Sequence, residues 1–414
     1  MREGLWFIPV LSVAAAIGAA AALMAVDRAW PDLPNAFRGD ASSAQGLLAT
    51  IATSTVTVTT LVLSITIVAL QLASQQFSPR VMRTFFRDQG TKVSLGIFLA
   101  TAAYSLFVLR AVVPQGESRP EFVPAVSVTV AFVLAITTLL TFVYYVNHVS
   151  HSIRVVHIID AVAAETRAVI AELPEDDHGD EEVGWPSRPA DLVLGSDQPP
   201  GVLTVIDEDD LVELAEQCRA RIRFLRRVGD HLPSGIALAE VWFDDQGSTG
   251  RDLRRLTRYT GIGHERTMTQ DAAFGFRQLV DIAEKALSPA VNDPTTAVQC
   301  TDRIHDLLRR LALRPDAEGI YRDHSGTARL VVPQYCWEDY LRLAFDEIRQ
   351  YGAGSLQVHQ RLRAAIDDLL TVVVDQPERI EALTAQVQML DRCAAANFAD
   401  ACDRERASTP QLAG

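Results

Sequence analysis

Long uncharged apolar stretches are confined to the first 150 residues of the chain. A bilayer core about 30 Å thick requires about 20 apolar residues in a helix, because backbone amides find no water there. Four stretches meet this requirement, and nothing after residue 150 comes close. The pattern therefore predicts four transmembrane helices in a domain covering residues 1–149, with spans at about 5–26, 47–73, 93–113 and 122–146.

The first apolar stretch begins almost at the N-terminus, which is also typical of a cleaved signal peptide. The small residues before Asp27 offer a processing site for that alternative. The length of the apolar core and the three spans that follow favour a retained span instead.

The orientation follows from the Lys and Arg residues of the short loops. The loop after span 2 carries four of these charges, whereas the loops after spans 1 and 3 carry two each. This bias predicts a multi-pass protein of the bacterial inner membrane with both termini in the cytoplasm. Ser78 and Pro79 predict a helix start, and the following turn alternates apolar residues with arginines, as in a helix at the headgroup region. The predicted membrane-interface residues are Arg80, Arg83 and Arg87.

The second span carries a polar, uncharged face. At 100° per residue, its Thr, Ser and Gln side chains fall within a narrow sector of one helix. Such a face lines a water-filled path in an oligomer, where hydroxyls and amides replace part of the hydration shell of an ion. It also allows close packing and hydrogen bonding between membrane helices, and both interpretations stay open. The candidate residues are Thr53, Thr57, Thr60, Ser64, Gln71 and Gln75.

Charge separates the second part of the chain from the first. Residues 150–414 carry 29 Lys and Arg against 45 Asp and Glu, a net charge of −16. This excess repels phosphate backbones, so no nucleic-acid partner is expected. Cations or a basic protein partner fit the charge better, and the lipid bilayer is a further partner.

The second part is predicted to be a cytoplasmic α+β domain that follows the α-helical membrane domain. Within it, the segment RVGDHLPSGIALAEV resembles half of a biotinyl/lipoyl-type barrel, which predicts a small barrel-like β-rich subdomain. No lysine lies between Lys92 and Lys285, so swinging-arm chemistry is excluded. The predicted segments are a helical extension at 150–173, an acidic linker at 174–200, a β-rich subdomain at 201–245, an α-rich subdomain at 246–405 and a disordered tail at 406–414.

The α-rich subdomain contains a motif of charged residues around a helix break. One helix ends near Ser288, and Asp293 with Pro294 predicts the N-cap and first position of the next. The candidate residues of this motif are Arg277, Asp281, Lys285, Asn292 and Asp293. A strand hairpin around residues 323–326 and helices at about 337–351, 356–374 and 377–402 follow.

Motifs for cofactor or metal chemistry do not stand out. The chain has no phosphate-binding glycine loop, no His-Glu-x-x-His and no Gly-x-Ser-x-Gly. His148 and His151 lie three residues apart, but no carboxylate or cysteine near them completes a metal site. We therefore predict no metal, no cofactor and no catalytic residue, and a non-enzymatic protein is favoured.

Two passages carry a resemblance to a known family: ALQLASQQFSPRVMRTFFRDQGTKVSLGIFLATAAYSLFVLRAV at residues 69–112, and FGFRQLVDIAEKALSPAVNDPTTA at residues 274–297. Together they resemble a family of predicted bacterial integral membrane proteins classed as a domain of unknown function. The resemblance implies several spans in the inner membrane. It implies no activity and no catalytic residues.

Three functional hypotheses follow. The leading one is a homo-oligomeric, channel-like or transport protein in which span 2 lines the path. The alternative is a membrane-anchored scaffold or sensor whose acidic domain binds a partner. An enzyme acting through the segment from Arg277 to Asp293 is the third.

Overall fold

The computed structural model describes residues 6–30, 37–76, 89–114, 122–152, 154–174, 185–195, 199–244, 253–316 and 318–409. The chain forms two compact units, Met1–Ile158 and Ile159–Gly414. We call them the N-terminal unit and the C-terminal unit.

The N-terminal unit contains four described helices that are long and apolar enough to cross a membrane, the number that the sequence predicts. The third helix is central, because it packs against each of the other three. Buried apolar side chains such as Leu48, Tyr104 and Val128 form the core between the helices. The helices are α1 (Phe7–Ala29), α2 (Ala41–Gln76), α3 (Gln89–Leu109) and α4 (Ala125–Ser152).

The second helix is longer than a bilayer is thick. Its 36 residues extend for about 54 Å at 1.5 Å per residue, whereas the hydrocarbon core measures about 30 Å. The stretch Ala41–Val68 is long and apolar enough to cross a membrane.

The third helix begins four residues before its predicted start. Its first turn contains Lys92, of which only 7% is exposed. A span predicted from apolar residues alone begins after this lysine, whereas the end of a membrane helix tolerates a charge. Further along, α3 approaches α1 closely: a Cβ atom on Gly96 would lie 2.8 Å from the Ser12 hydroxyl oxygen.

Eight described α-helices follow residue 152. Where the sequence predicts a continuous extension of span 4, α4 ends at Ser152 and the next helix begins at Val155. The predicted last helix divides in two, since the Asp400 carboxylate accepts a hydrogen bond of 2.7 Å from the Cys402 amide and starts a new helix. The helices are α5 (Val155–Glu172), α6 (Glu208–Gln217), α7 (Ala272–Leu287), α8 (Pro294–Ala312), α9 (Trp337–Tyr351), α10 (Leu356–Val372), α11 (Pro377–Asn397) and α12 (Ala401–Ala407).

The strands form two sheets rather than a barrel. The larger sheet has the order β1-β5-β3-β8-β7, with β3 and β8 parallel, and the smaller has the order β4-β2-β6. The strands are β1 (Leu192–Gly195), β2 (Gly201–Ile206), β3 (Ala220–Phe224), β4 (His231–Leu232), β5 (Ala237–Phe243), β6 (Thr260–Gly263), β7 (Ile320–Arg322) and β8 (Ala328–Val331).

The prediction of a barrel-like subdomain is therefore wrong, because in the described part of the chain neither sheet closes on itself. The turns that suggested it do exist: Gly229 and Gly235 have φ angles of 96° and 75°, which glycine adopts without strain. These turns do not determine which strands pair. Instead, β2 pairs with β6 and β3 pairs with β8, both from later in the chain.

Part of the segment predicted as an acidic linker packs onto the larger sheet. Trp185 contacts Trp242 edge to face, with ring centroids 5.6 Å apart. The Arg223 guanidinium lies 5.1 and 5.2 Å from the centroids of these two rings. Residues 185–195 thus belong to the C-terminal unit, although their Pro and Asp content is typical of a linker.

The helix α5 is held inside the C-terminal bundle. A Cβ atom on Gly275 would lie 1.9 Å from the Thr166 hydroxyl oxygen, so only glycine permits this crossing of α5 and α7. Two ion pairs join α5 to α8, Arg167 with Asp306 at 2.9 Å and Arg303 with Asp160 at 2.7 Å.

Candidate functional site

The polar face of α2 is on the outside of the N-terminal unit. Its side chains lie on the surface of this unit, whereas the opposite side of α2 faces α3 and α4. The side chain of Gln75 lies outside the described residues. The exposed members of the polar face are Thr53, Thr57, Thr60, Ser64 and Gln71.

The threonine hydroxyls of this face donate hydrogen bonds to their own helix. Thr57 Oγ1 donates to the Thr53 carbonyl oxygen at 2.9 Å, and Thr60 Oγ1 donates to the Val56 carbonyl oxygen at 3.0 Å. Each hydroxyl proton therefore has an acceptor without any partner helix. The hydroxyl oxygens still have lone pairs with which to accept from water or to coordinate a cation.

Apolar side chains border the polar face. Val56, Leu63 and Ile67 are 50%, 39% and 55% exposed, and at 100° per residue they lie together on one side of it. Two further exposed apolar residues, Leu61 and Val68, lie on the opposite side of the polar face. The exposed surface of α2 thus combines a polar strip with a border suited to lipid or to another apolar helix.

The other side of α2 carries the same residue types in a buried setting. Thr55 and Thr59 are only 3% and 6% exposed. Thr66 and Tyr145 bring their hydroxyl oxygens together between α2 and α4. These groups are part of the helix packing inside the unit.

A buried carboxylate ties α1 to the start of α4. Asp27 is 5% exposed, and its carboxylate oxygens accept from the Val126 amide at 2.8 Å and the Ser127 amide at 3.0 Å. The Ser127 hydroxyl donates a third hydrogen bond at 2.6 Å. A negative charge at a helix N-terminus satisfies free amides and interacts favourably with the helix dipole. The sequence shows Asp27 only as the first charge after span 1.

The predicted membrane-interface residues Arg80, Arg83 and Arg87 lie outside the described residues, as does the helix start predicted at Ser78 and Pro79. Among the residues that the structure describes, no group of three or more His, Cys, Asp or Glu side chains is placed to hold a metal ion.

In the C-terminal unit, the charged motif forms a cluster around one arginine. Arg277 Nε donates to the Asp281 carboxylate at 2.6 Å, and Arg277 Nη2 donates to the Glu284 carboxylate at 3.2 Å. Arg277 also forms an ion pair with Glu347, which comes from α9. The motif predicted from α7 thus acquires a further carboxylate from a distant part of the chain.

The carboxyl group of Glu284 has an altered acidity. Burial, and then a hydrogen bond and charge repulsion from Glu347, raise the pKa of Glu284 to about 7, despite the opposing effect of Arg277. A carboxyl group with this pKa is protonated in about half of the molecules at neutral pH.

The remaining predicted motif residues have surroundings that differ from those of this cluster. Lys285 is exposed in the last turn of α7. Asn292 is exposed in the α7–α8 connection, with a φ of 51°. Asp293 caps α8, as predicted, because its carboxylate accepts from the Thr296 amide at 3.2 Å and from the Thr296 hydroxyl at 2.6 Å.

A second network of charges joins α8 to α10. His305 Nε2 lies 2.7 Å from the Asp368 carboxylate, and His305 Nδ1 lies 2.9 Å from the Arg361 guanidinium, which can only donate. Burial and the neighbouring Arg361 and Arg309 lower the pKa of His305, so it is held neutral with its proton on Nε2.

Comparison with known proteins identifies a family and several uncharacterised relatives. The model of a family described as "Predicted membrane protein (DUF2254)" matches residues 2–368. Uncharacterised proteins of Mycobacterium bovis and Mycobacterium tuberculosis are each 35% identical over 413 residues, which covers 98% of this chain and 78% of each relative. No solved structure matches the chain.

Proposed function

The chain belongs to the DUF2254 family of predicted membrane proteins, and we propose that it is an oligomeric, channel-like or transport protein of the bacterial inner membrane. Copies of α2 line its path, and small ions are its cargo. The C-terminal unit lies in the cytoplasm and acts as an assembly platform or gate.

The exposed polar face of α2 carries this proposal. Among the described helices of its own unit, none packs over this face, and hydrocarbon would remove its hydroxyls from water at a cost in free energy. Copies arranged around a symmetry axis turn the same face toward a shared aqueous space. The apolar border, with Val56 and Ile67, then contacts the neighbouring copies. Enclosing a path in this way requires roughly three or more copies.

The order of polar side chains along α2 suggests where the path opens. Thr53, Thr57, Thr60 and Ser64 precede Gln71, which lies in the C-terminal part of the helix. The hydroxyls would then line the membrane-crossing part of the path, and the glutamines one of its mouths. Arg80, Arg83 and Arg87 follow in sequence, and positive charge near that mouth would favour anions.

The rival function is a membrane-anchored scaffold or sensor. The hydrogen bonds from Thr57 and Thr60 to their own helix favour it, because such hydroxyls can pack against a dry helix surface without losing a partner. In that case copies of α2 pack face to face and enclose no water. The acidic charge of the C-terminal unit then serves to recruit a basic protein.

An enzymatic function of the charged motif has less support. Arg277 is engaged by three carboxylates, and Asp293 caps a helix. Both residues therefore already have structural roles.

Ion flux through liposomes that contain the purified protein tests the proposal. Ser64→Leu places a bulky apolar side chain on the polar face, and Val143→Leu is a control at an exposed apolar position of α4. We expect flux in the wild type and in Val143→Leu, and its loss in Ser64→Leu with the oligomer intact by light scattering. Flux that persists in Ser64→Leu, or its absence in the wild type for cations and anions alike, would contradict the proposal.

A further inference from the structure

Two carboxyl groups from different helices meet at one nitrogen atom in the C-terminal unit. Arg277 Nη2 lies 3.2 Å from the Glu284 carboxylate and also forms the ion pair with Glu347. The two carboxyl groups are therefore close neighbours, and the nearby Glu347 adds to the effect of burial in raising the pKa of Glu284. Glu284 belongs to α7 and Glu347 to α9, so this contact is a link between the two helices.

The charged groups near the pair come from α7 and α9. On α7 these are Arg277 and Asp281, which bond to each other at 2.6 Å, and Lys285 follows Glu284 in sequence as an exposed side chain. On α9, Arg349 pairs with Asp346 at 3.5 Å. On α8, which also packs against α7, described charges pair with other helices. Asp306 and Arg303 pair with α5, and Asp302 and Arg309 pair with α10.

Two ionised carboxylates around one guanidinium nitrogen repel each other, so a state in which one of them binds a proton is favoured. The pair titrates as a unit, and its protonation cannot be assigned to one residue alone. Arg277 stabilises the charge that remains.

We propose that Glu284 and Glu347 form a proton-binding pair that joins α7 to α9 when it is protonated and loosens this junction when it ionises. The pair makes the packing of the C-terminal unit sensitive to pH near neutrality. This inference does not depend on ion conduction, because it concerns the packing of two helices within one unit. In a channel, it would supply the stimulus for the gate.

The direction of the effect on stability follows from the pKa of Glu284, which is about 7 in the fold against an ordinary value of 4.5. Below pH 4.5 the group is protonated in both states, and its contribution to stability is fully present. Between pH 4.5 and 7 the unfolded chain loses the proton before the folded chain does. The stabilising contribution therefore decreases as the pH rises and is lost above about pH 7.

Thermal unfolding of the full-length protein in detergent between pH 4.5 and 8 tests this proposal. Glu284→Gln keeps a hydrogen-bond donor beside Glu347 but cannot ionise, and Glu381→Gln is a control at an exposed glutamate of α11. Relative to Glu284→Gln, the midpoint of the wild type should fall by on the order of 3 °C from pH 5 to pH 8. The Glu381→Gln curve should stay parallel to that of the wild type. A constant difference between the wild type and Glu284→Gln at every pH would overturn the proposal.

Amide hydrogen exchange of the wild type provides a second measurement if the variant does not fold. After correction for the intrinsic pH dependence of exchange, we expect at least a twofold faster exchange in α7 and α9 at pH 8 than at pH 6. The helices α10 and α11 serve as internal controls and should not change. Equal protection of α7 and α9 at both pH values would also overturn the proposal.

Discussion

The two sides of α2 carry the same residue types in opposite environments. Thr57 is exposed and Thr59 is 6% exposed, yet both hydroxyls donate to a carbonyl oxygen one turn earlier, at 2.9 and 2.7 Å. Local hydrogen bonding therefore does not distinguish a packing threonine from one that faces outward. What differs is whether another helix of the unit covers the side chain.

The buried polar groups of the N-terminal unit also bond across helices. The Thr138 hydroxyl of α4 donates to the Thr101 hydroxyl of α3 at 3.0 Å, and the Tyr104 hydroxyl donates to the Ser127 carbonyl at 3.1 Å. Such pairs are the expected use of hydroxyls for helix packing. Between the described helices of the N-terminal unit, the exposed face of α2 makes no such bond, which is why we propose a function for it outside this unit.

Removal of the Asp27 carboxylate should give the largest effect on the buried side of this comparison. Asp27→Ala leaves two amides and one hydroxyl at the start of α4 without their acceptor. We expect a loss of about 3 kcal/mol in the free energy of unfolding, measured by denaturation in detergent. Asp27→Asn keeps one acceptor oxygen and should lose roughly half as much. Equal stability of Asp27→Ala and the wild type would show that this contact does not stabilise the fold.

A pair of leucine substitutions compares the two sides of α2 directly. Thr59→Leu adds volume at a buried position and should destabilise the protein by about 2 kcal/mol, whereas Thr57→Leu should change stability by less than about 0.5 kcal/mol. Thermal unfolding of the two variants under identical conditions measures the difference. A similar loss in both would mean that the outer face is buried as well, against another copy.

The hydroxyl pair between α3 and α4 should give the smallest effect. A double-mutant cycle with Thr101→Val and Thr138→Val measures the coupling between the two side chains. We expect a coupling of about 1 kcal/mol, because the 3.0 Å bond is buried from water. The same cycle with Thr53→Val and Thr57→Val on the outer face is the control. A coupling near zero for the buried pair would remove the distinction between the two sides.

The four helices could be predicted because hydrocarbon imposes a length and a composition on any span. The polar face of α2 was equally visible, since its periodicity follows from helix geometry alone. The position of this face on the outside of the unit could not be predicted, because it depends on how α3 packs against α2. Lys92 shows a similar limit of sequence reasoning. Its charge predicts a loop residue before the span, whereas it lies in the first turn of α3.

Contacts between distant parts of the chain were beyond sequence reasoning. Arg277, Asp281 and Glu284 share one helix, so their proximity could be predicted from their spacing. Glu347 lies on α9, and nothing in its own segment indicates that it meets them. The sheets present the same difficulty, since the turn at Gly235 was recognisable but the pairing of β3 with β8 was not.

Cysteine accessibility on the outer face of α2 is the most direct test of the central claim that this face lines a water-filled path. The native cysteines, Cys218, Cys300, Cys336, Cys393 and Cys402, all lie in the C-terminal unit, so the wild type treated with the same reagent serves as the reference. We predict that a charged, water-soluble thiol reagent blocks ion flux through liposomes containing Ser64→Cys and leaves flux through Val56→Cys and the wild type unchanged. Flux through Ser64→Cys that is insensitive to the reagent, in a correctly assembled oligomer, would contradict the account and favour a dry interface between copies of α2.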